Sequence, residues 1–148
     1  MAKYDFFIAG RWRNKDAIKE VLEIVRESGF SAYCFIENAY LGEKIELKMD
    51  GDPEIFMKQS EALSQDDPYI RKIFEKDMEA EREAENFLLV FPAGIASHIE
   101  SGVAYGLGKK CYAMGQPEKT ETLYCVFDKI YGDNKEFQEW LANNKSQK

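Results

Sequence analysis

"NFLLVFPAGIASHIESGVAYGLGKK", residues 86–110, decides the fold. It opens on "FLLVF" at 87–91, an apolar run with no polar alternation. A strand with one face in water alternates, whereas a strand covered by helices on both faces does not, so this run reads as a central strand of a parallel sheet. After "PAGIA" the spacing predicts a helix from about His98 to Leu107, stopped at Gly108.

Upstream, "YDFFIAG" is a short apolar run ending in Gly10, and "NKDAIKEVLEIVRESG" follows with Ile18, Val21, Leu22 and Val25 at helical spacing before Gly29. "SAYCFIE" then reads as a second strand, which makes the first helix a crossover and the unit βαβ. The stretch from Asn38 to Pro53 has no sustained period and reads as a long connection able to carry binding residues. "PEIFMKQSEAL" and "DPYIRKIFEKDMEAEREAEN" are helical in pattern, the second with Ile70, Ile73, Phe74 and Met78 along one stripe. Downstream, "KCYAMG" and "TLYCVF" read as two more strands and "NKEFQEWLANNK" as a final helix. Strands alternating with helices predict a three-layer α/β fold, flavodoxin-like or Rossmann-like, with a five-stranded, mostly parallel central sheet. No linker or repeat divides the chain, so residues 1–148 are expected to form one domain.

With 45% hydrophobic and 14% aromatic residues, the 148-residue chain can build a packed core. A net charge of −7 argues against binding a nucleic acid polymer through its phosphates, but leaves room for a local anion site and favours a small-molecule partner. The acidic residues are spread through helices, where most belong on solvated faces. No window matches a membrane span, and "MAKYDFFIAG" lacks a signal peptide's apolar region, so a soluble, cytoplasmic chain with no membrane partner is expected. Cys34, Cys111 and Cys125 lack metal-ligand spacing, so neither a zinc site nor disulfides are expected, and no cofactor is implied.

Ligands of open α/β sheets bind at the carboxyl ends of the strands, which singles out two loops. In "AGRWRN", Gly10 permits close backbone approach while Arg11, Trp12 and Arg13 offer charge and a stacking surface, yet a plain turn has the same composition. Neither a dinucleotide fingerprint nor a Walker loop is present. In "PAGIASHIE", Ser97-x-x-Glu100 has the form of a capping box. Against capping alone, Glu100 shares a helical stripe with Val103, Ala104 and Leu107, which aims an acid inward. A carboxylate near a helix N-terminus is favoured as the anion by the dipole while burial opposes it, and such a group can be a nucleophile. Gly94, Gly102, Gly106 and Gly108, with Ala96 and Ala104, leave room for a ligand or allow tight helix packing. His98 is either a ligand contact or acid/base group, or a polar residue of the first turn.

Taken together, "AGRWRNKDAIKEV", "EKDMEAEREAENFLLVFPAG" and "SHIESGVAYGLGKKCYAMG" resemble the nucleoside 2-deoxyribosyltransferase-like superfamily, which includes the nucleoside 5′-monophosphate N-glycosidases. The resemblance spans about two-thirds of the chain. It implies a flavodoxin-like fold and cleavage or transfer at an N-glycosidic bond, with Glu100 attacking the anomeric carbon and Asp77 holding the nucleobase and supplying a proton. It places Gly10, Arg11 and Trp12 at the sugar or its 5′ group and implies a homodimer. The loop after the central strand, with Gly94, Ser97 and His98, is expected to form the other part of the pocket, although the best-known transferases do not share the histidine. Trp12, Tyr40, Tyr69 and Tyr105 are candidates for stacking, interface or core packing. The chain departs from the resemblance at Gly94, where transferases carry a second acid, and at Phe6, where a tyrosine is common. A catalytically silent nucleotide-binding or sensing protein of the same fold is the alternative, and cleavage of the nicotinamide bond of NAD is disfavoured by the short chain.

Overall fold

The computed structural model describes residues 2–38, 40–41, 46–47 and 52–145. Strand β1 (Tyr4–Ala9) leads through a 3-10 turn (Trp12–Asn14) into α1 (Lys15–Glu27) and on to β2 (Ala32–Cys34). Gly29 makes the reversal between α1 and β2 at φ 90°, a left-handed conformation that glycine adopts without strain. A second 3-10 turn (Phe35–Glu37) precedes β3 (Tyr40–Leu41) and β4 (Glu46–Leu47), a two-residue antiparallel ribbon. The rest of the chain runs α2 (Pro53–Glu61), α3 (Pro68–Glu83), β5 (Ala84–Val90), α4 (Ile95–Gly106), β6 (Lys110–Met114), a 3-10 segment (Thr122–Val126), β7 (Lys129–Tyr131) and α5 (Asn134–Asn144).

The main sheet has the order β2-β1-β5-β6-β7, and every pairing in it is parallel. Helices cover both faces, giving the three-layer flavodoxin-like architecture. Side chains alternate between two apolar clusters, as the period of a strand requires. Phe6, Ile8, Leu88 and Val90 join α1 and α5 on one face, whereas Phe7, Ala9, Phe87 and Leu89 meet Ala80 of α3 and Ala104 of α4 on the other. Because both faces are covered, the strands read as unbroken apolar runs.

Three helices start on aspartate. Asp52 accepts from the Glu54 N–H and Asp67 from the Tyr69 N–H, both at 2.9 Å and each followed by a proline at the first helical position. Asp133 accepts from the Glu136 N–H at 2.8 Å. No helix among the described residues is long and apolar enough to cross a membrane.

The structure corrects several sequence expectations. "TLYCVF" is a 3-10 segment, not a strand, and the fifth strand of the sheet is β7, just downstream. Helix α4 begins at Ile95, three residues before the expected His98, and strand β5 begins at Ala84, three before Phe87. Phe74 is exposed, because the buried side of α3 continues through Ala80 and Glu81. Most of the 38–53 connection lies outside the described residues, as does the Tyr40 side chain.

Candidate active site

From β1 the chain first moves to β2 at one side and then returns to β5 at the other, so the strand order reverses between β1 and β5. The crevice at the carboxyl ends of those two strands is where an open parallel sheet leaves helix N-termini and loops free to meet a ligand. A cavity of about 300 Å³ lies there. Gly10, Arg11 and Trp12 line it from the β1 loop, Gly94, Ser97 and Glu100 from the start of α4, and Asp77 from α3. Phe35, Met57 and Ile73 add apolar wall. The volume is at the lower end of the range for small-molecule sites, which run from about 300 to 1,000 Å³.

The two glycines of this site differ in their surroundings. A Cβ at Gly10 stands 2.5 Å from Cδ1 of fully buried Ile18, so the backbone there approaches closer than any side chain allows. A Cβ at Gly94 meets only Arg11 Cβ, at 3.8 Å. Arg11 turns a buried Nε toward no hydrogen-bond partner among the described residues. Beside it, α4 begins without a side-chain cap. Its first N–H groups and the Arg11 guanidinium thus offer donors to an anionic or polar ligand group.

This start also settles the capping question. With Gly94 at the N-cap, Ser97 is the third helical residue and Glu100 the sixth, so the two do not form a capping box. Ser97 is buried, and its carbonyl accepts from Ser101 Oγ at 3.0 Å. Glu100, expected near the helix N-terminus, lies a full turn beyond it, and burial dominates its electrostatics. Burial, then the neighbouring carboxyls of Asp77 and Glu81, push Glu100 well above the usual carboxylate range.

Glu81 was not singled out by sequence reasoning. It sits one turn after Asp77 on α3, has no exposed surface, and neither carboxylate oxygen has a hydrogen-bond partner among the described residues; the Ala104 N–H approaches without completing a bond. Burial pushes its pKa up to about 8, opposed by the Lys109 ammonium and reinforced by Asp77. The available signal was the spacing of Ile70, Ile73, Asp77, Ala80, Glu81 and Ala84, a helical stripe on which two acids occupy core positions. Tyr33 was missed as well. Its hydroxyl donates to Asp77 Oδ1 at 2.7 Å. Three carboxyls on facing helices cannot all ionise at ordinary cost, so protons are retained among them at neutral pH.

His98 is not brought to this cavity. Its Nδ1 lies 2.7 Å from the Gly94 carbonyl, which can only accept, so Nδ1 carries a proton, and its Nε2 lies 3.1 Å from the Tyr124 hydroxyl. Its ring stacks on Tyr124 at 5.8 Å, so His98 ties the first turn of α4 to the Thr122–Val126 segment. Trp12 is buried against Phe35 at 4.9 Å, Tyr69 is half-buried, and Tyr105 is exposed. Among the described residues, no cluster of three or more His, Cys, Asp or Glu side chains is arranged to hold a metal ion.

No family model matches the chain, and no curated protein sequence does. Among solved structures, a 2-deoxyribosyltransferase from Bacillus psychrosaccharolyticus is similar with a TM-score of 0.63 at 16% identity, over 93% of this chain and 90% of that one. The Clostridium botulinum CMP N-glycosidase BcmB is similar with a TM-score of 0.55 at 18% identity, over 92% of this chain and 96% of that one. At these identities the likeness establishes a shared fold across nearly the whole chain.

Proposed function

We propose that this protein cleaves or transfers the N-glycosidic bond of a nucleoside or nucleoside monophosphate, with Glu100 as nucleophile and Asp77 at the departing base. The observation that carries this reading is the convergence of Glu100 and Asp77, from different helices, on one cavity at the reversal point of the sheet. Two solved structures of the same fold belong to a 2-deoxyribosyltransferase and a CMP N-glycosidase, which supports chemistry of this kind.

In the proposed reaction a Glu100 oxygen bonds to the anomeric carbon as the carbon–nitrogen bond breaks. The bonding pair leaves with the base nitrogen, which takes a proton from Asp77. Water then attacks the same carbon, returns a proton to Asp77 and frees Glu100; a second base in place of water gives transfer. Splitting one displacement into two lowers each barrier, because each passes through an oxocarbenium-like transition state that the carboxylate stabilises. Gly10, Arg11, Trp12, Gly94 and Ser97 form the substrate wall, and the unpartnered Arg11 Nε suits a 5′-phosphate or a sugar hydroxyl.

Glu100 must lose its proton before it attacks, and its proton affinity is raised. The acid limb of kcat/KM is therefore expected well above pH 4.5, the ordinary carboxylate value. The direct test is release of free base from a panel of nucleosides and nucleoside monophosphates, followed by chromatography. Wild-type protein should release base from at least one, and Glu100→Gln should slow it at least ~1000-fold, about 4 kcal/mol of barrier. Release unchanged in the variant removes Glu100 from the mechanism. The silent-sensor alternative draws on Gly94, which leaves that wall without a second acid, and it is favoured if titration calorimetry finds binding without turnover.

A homodimer is the proposed assembly. Ile95 and Ile99 are 83% and 62% exposed on the outer side of α4, and Tyr105 and Leu107 of the same segment are exposed as well. A Cβ at Gly102 or Gly106 meets nothing within 4 Å, so no packing among the described residues accounts for these glycines. Light scattering should find a dimer that Ile99→Glu converts to a monomer; a monomeric wild type contradicts the proposal.

A further inference from the structure

We infer that Tyr33, oriented by Asn38, is the positioning residue of Asp77, fixing one oxygen of that carboxyl and setting how readily it parts with a proton; its catalytic meaning rests on the reaction proposed above. Tyr33 lies in register with Phe7 of β1, and Phe7 with Phe87 of β5. The three side chains share one sheet face and stack as a ladder, Tyr33 on Phe7 at 5.4 Å and 16°, Phe7 on Phe87 at 5.9 Å and 15°. A ring held this way delivers its phenol oxygen to a fixed point against α3.

At that point the hydroxyl donates to Asp77 Oδ1 at 2.7 Å, while Asn38 Nδ2 donates to the phenol oxygen, also at 2.7 Å. An amide N–H occupies an acceptor site of the oxygen and turns the phenolic proton toward the carboxylate, so the contacts run in one direction, from Asn38 through Tyr33 to Asp77. Asp77 lines the cavity, whereas Tyr33 and Asn38 do not. They act through Asp77 and leave the substrate untouched. Stacking accounts for the ring of Tyr33 but not for its hydroxyl, since phenylalanine would stack equally well.

The surroundings give the hydroxyl a task. Among the described residues, the ionisable groups around Asp77 include Tyr33 and Cys34 from β2, Glu81 from its own helix and Glu100 from α4. Burial pushes the Cys34 thiol up to about 12, so it is neutral, and the Lys109 ammonium acts on Glu81. A hydroxyl that donates to the carboxylate favours its charged form, so Tyr33 opposes a tighter hold on the Asp77 proton. A carboxyl that holds its proton too tightly is a slow general acid toward a departing base.

The test follows the Asp77 side-chain carboxyl by ¹³C NMR through a pH titration of the full chain, in wild type, Tyr33→Phe and Asn38→Ala. Tyr33→Phe keeps the ladder and removes one oxygen. Its Asp77 should titrate about one pH unit higher, a roughly tenfold tighter proton. Asn38→Ala should shift it the same way by less. Base release should show kcat reduced about tenfold in Tyr33→Phe, with a much smaller change in KM. Coincident titration curves in all three proteins overturn the inference, as does a lowered melting temperature with unaltered titration. If wild type releases no base from any substrate, the proposed reaction fails while the titration still decides the role of Tyr33. Should Tyr33→Phe not fold, Asn38→Ala, which leaves the sheet intact, decides alone.

Discussion

On the α1/α5 face of the sheet, Phe137 packs against Tyr131 at 5.3 Å, stacks on Trp140 at 6.2 Å, and meets Phe6 edge-on at 6.3 Å. Among the described residues, the orphaned polar side-chain atom of that aromatic cluster is the neutral Tyr131 hydroxyl. The α3/α4 face has an aromatic ladder too, but between its helices it encloses Asp77, Glu81 and Glu100. Both faces are covered by helices. One face holds groups that gain from leaving water, and the other holds groups that lose by it. A fold with only stability to maintain gains nothing from the second arrangement, so the contrast supports the proposed site on the α3/α4 side.

The contrast can be broken most strongly at Glu81. Its carboxyl binds a proton more tightly in the folded protein, about 8 against an ordinary 4.5, so the folded state keeps a proton that the unfolded chain loses. The group's contribution is full below pH 4.5 and is lost as pH rises to about 8, a difference of up to ~5 kcal/mol. Glu81→Gln has no such proton to lose. Denaturant midpoints between pH 5 and 8 should fall steeply in wild type and much less in the variant, the residual slope coming from Glu100.

On the apolar face, Phe137→Ala should cost about 3–5 kcal/mol at every pH in the same titration, because it opens a cavity and changes no charge. A pH-dependent loss there would erase the distinction between the faces. Smaller effects separate the two site glycines. Gly10→Ala forces Cβ into Ile18 and should destabilise by about 1–2 kcal/mol, while Gly94→Ala should stay within about 0.5 kcal/mol. Equal losses at both would show that the contact at Ile18 relaxes freely.

The sequence legibly announced the two-sided sheet, since "FLLVF" and "YDFFIAG" lack alternation, and it pointed to Glu100 and the Gly10–Trp12 loop; Asp77 came only from the family resemblance, and the structure gathers all of them around one cavity. It misled at "TLYCVF", where aromatic and β-branched residues suggest a strand. The segment instead turns through a 3-10 helix, and pairing resumes only where Asp128 N–H donates to the Cys111 carbonyl at 2.7 Å. It misled about the helix start as well, expected near His98, because Gly94 begins the helix without any side-chain signal and leaves Ser97 inside the first turn. His98 was drawn to the site by nearness in sequence, yet neighbouring helical residues point in different directions, and it faces Tyr124. Tyr33 could not be found from local pattern at all, because its role depends on register with Phe7 and on a partner 44 residues away.

The covalent step is where the account is most exposed. Incubation with a 2′-fluoro nucleoside or nucleoside monophosphate, whose electron-poor sugar slows release from the enzyme, followed by mass spectrometry of proteolytic peptides, reads it directly. The account expects one sugar adduct, as an ester of Glu100, that is absent from Glu100→Gln. An adduct on another residue, or base released from the fluorinated compound with no adduct on Glu100, would contradict it.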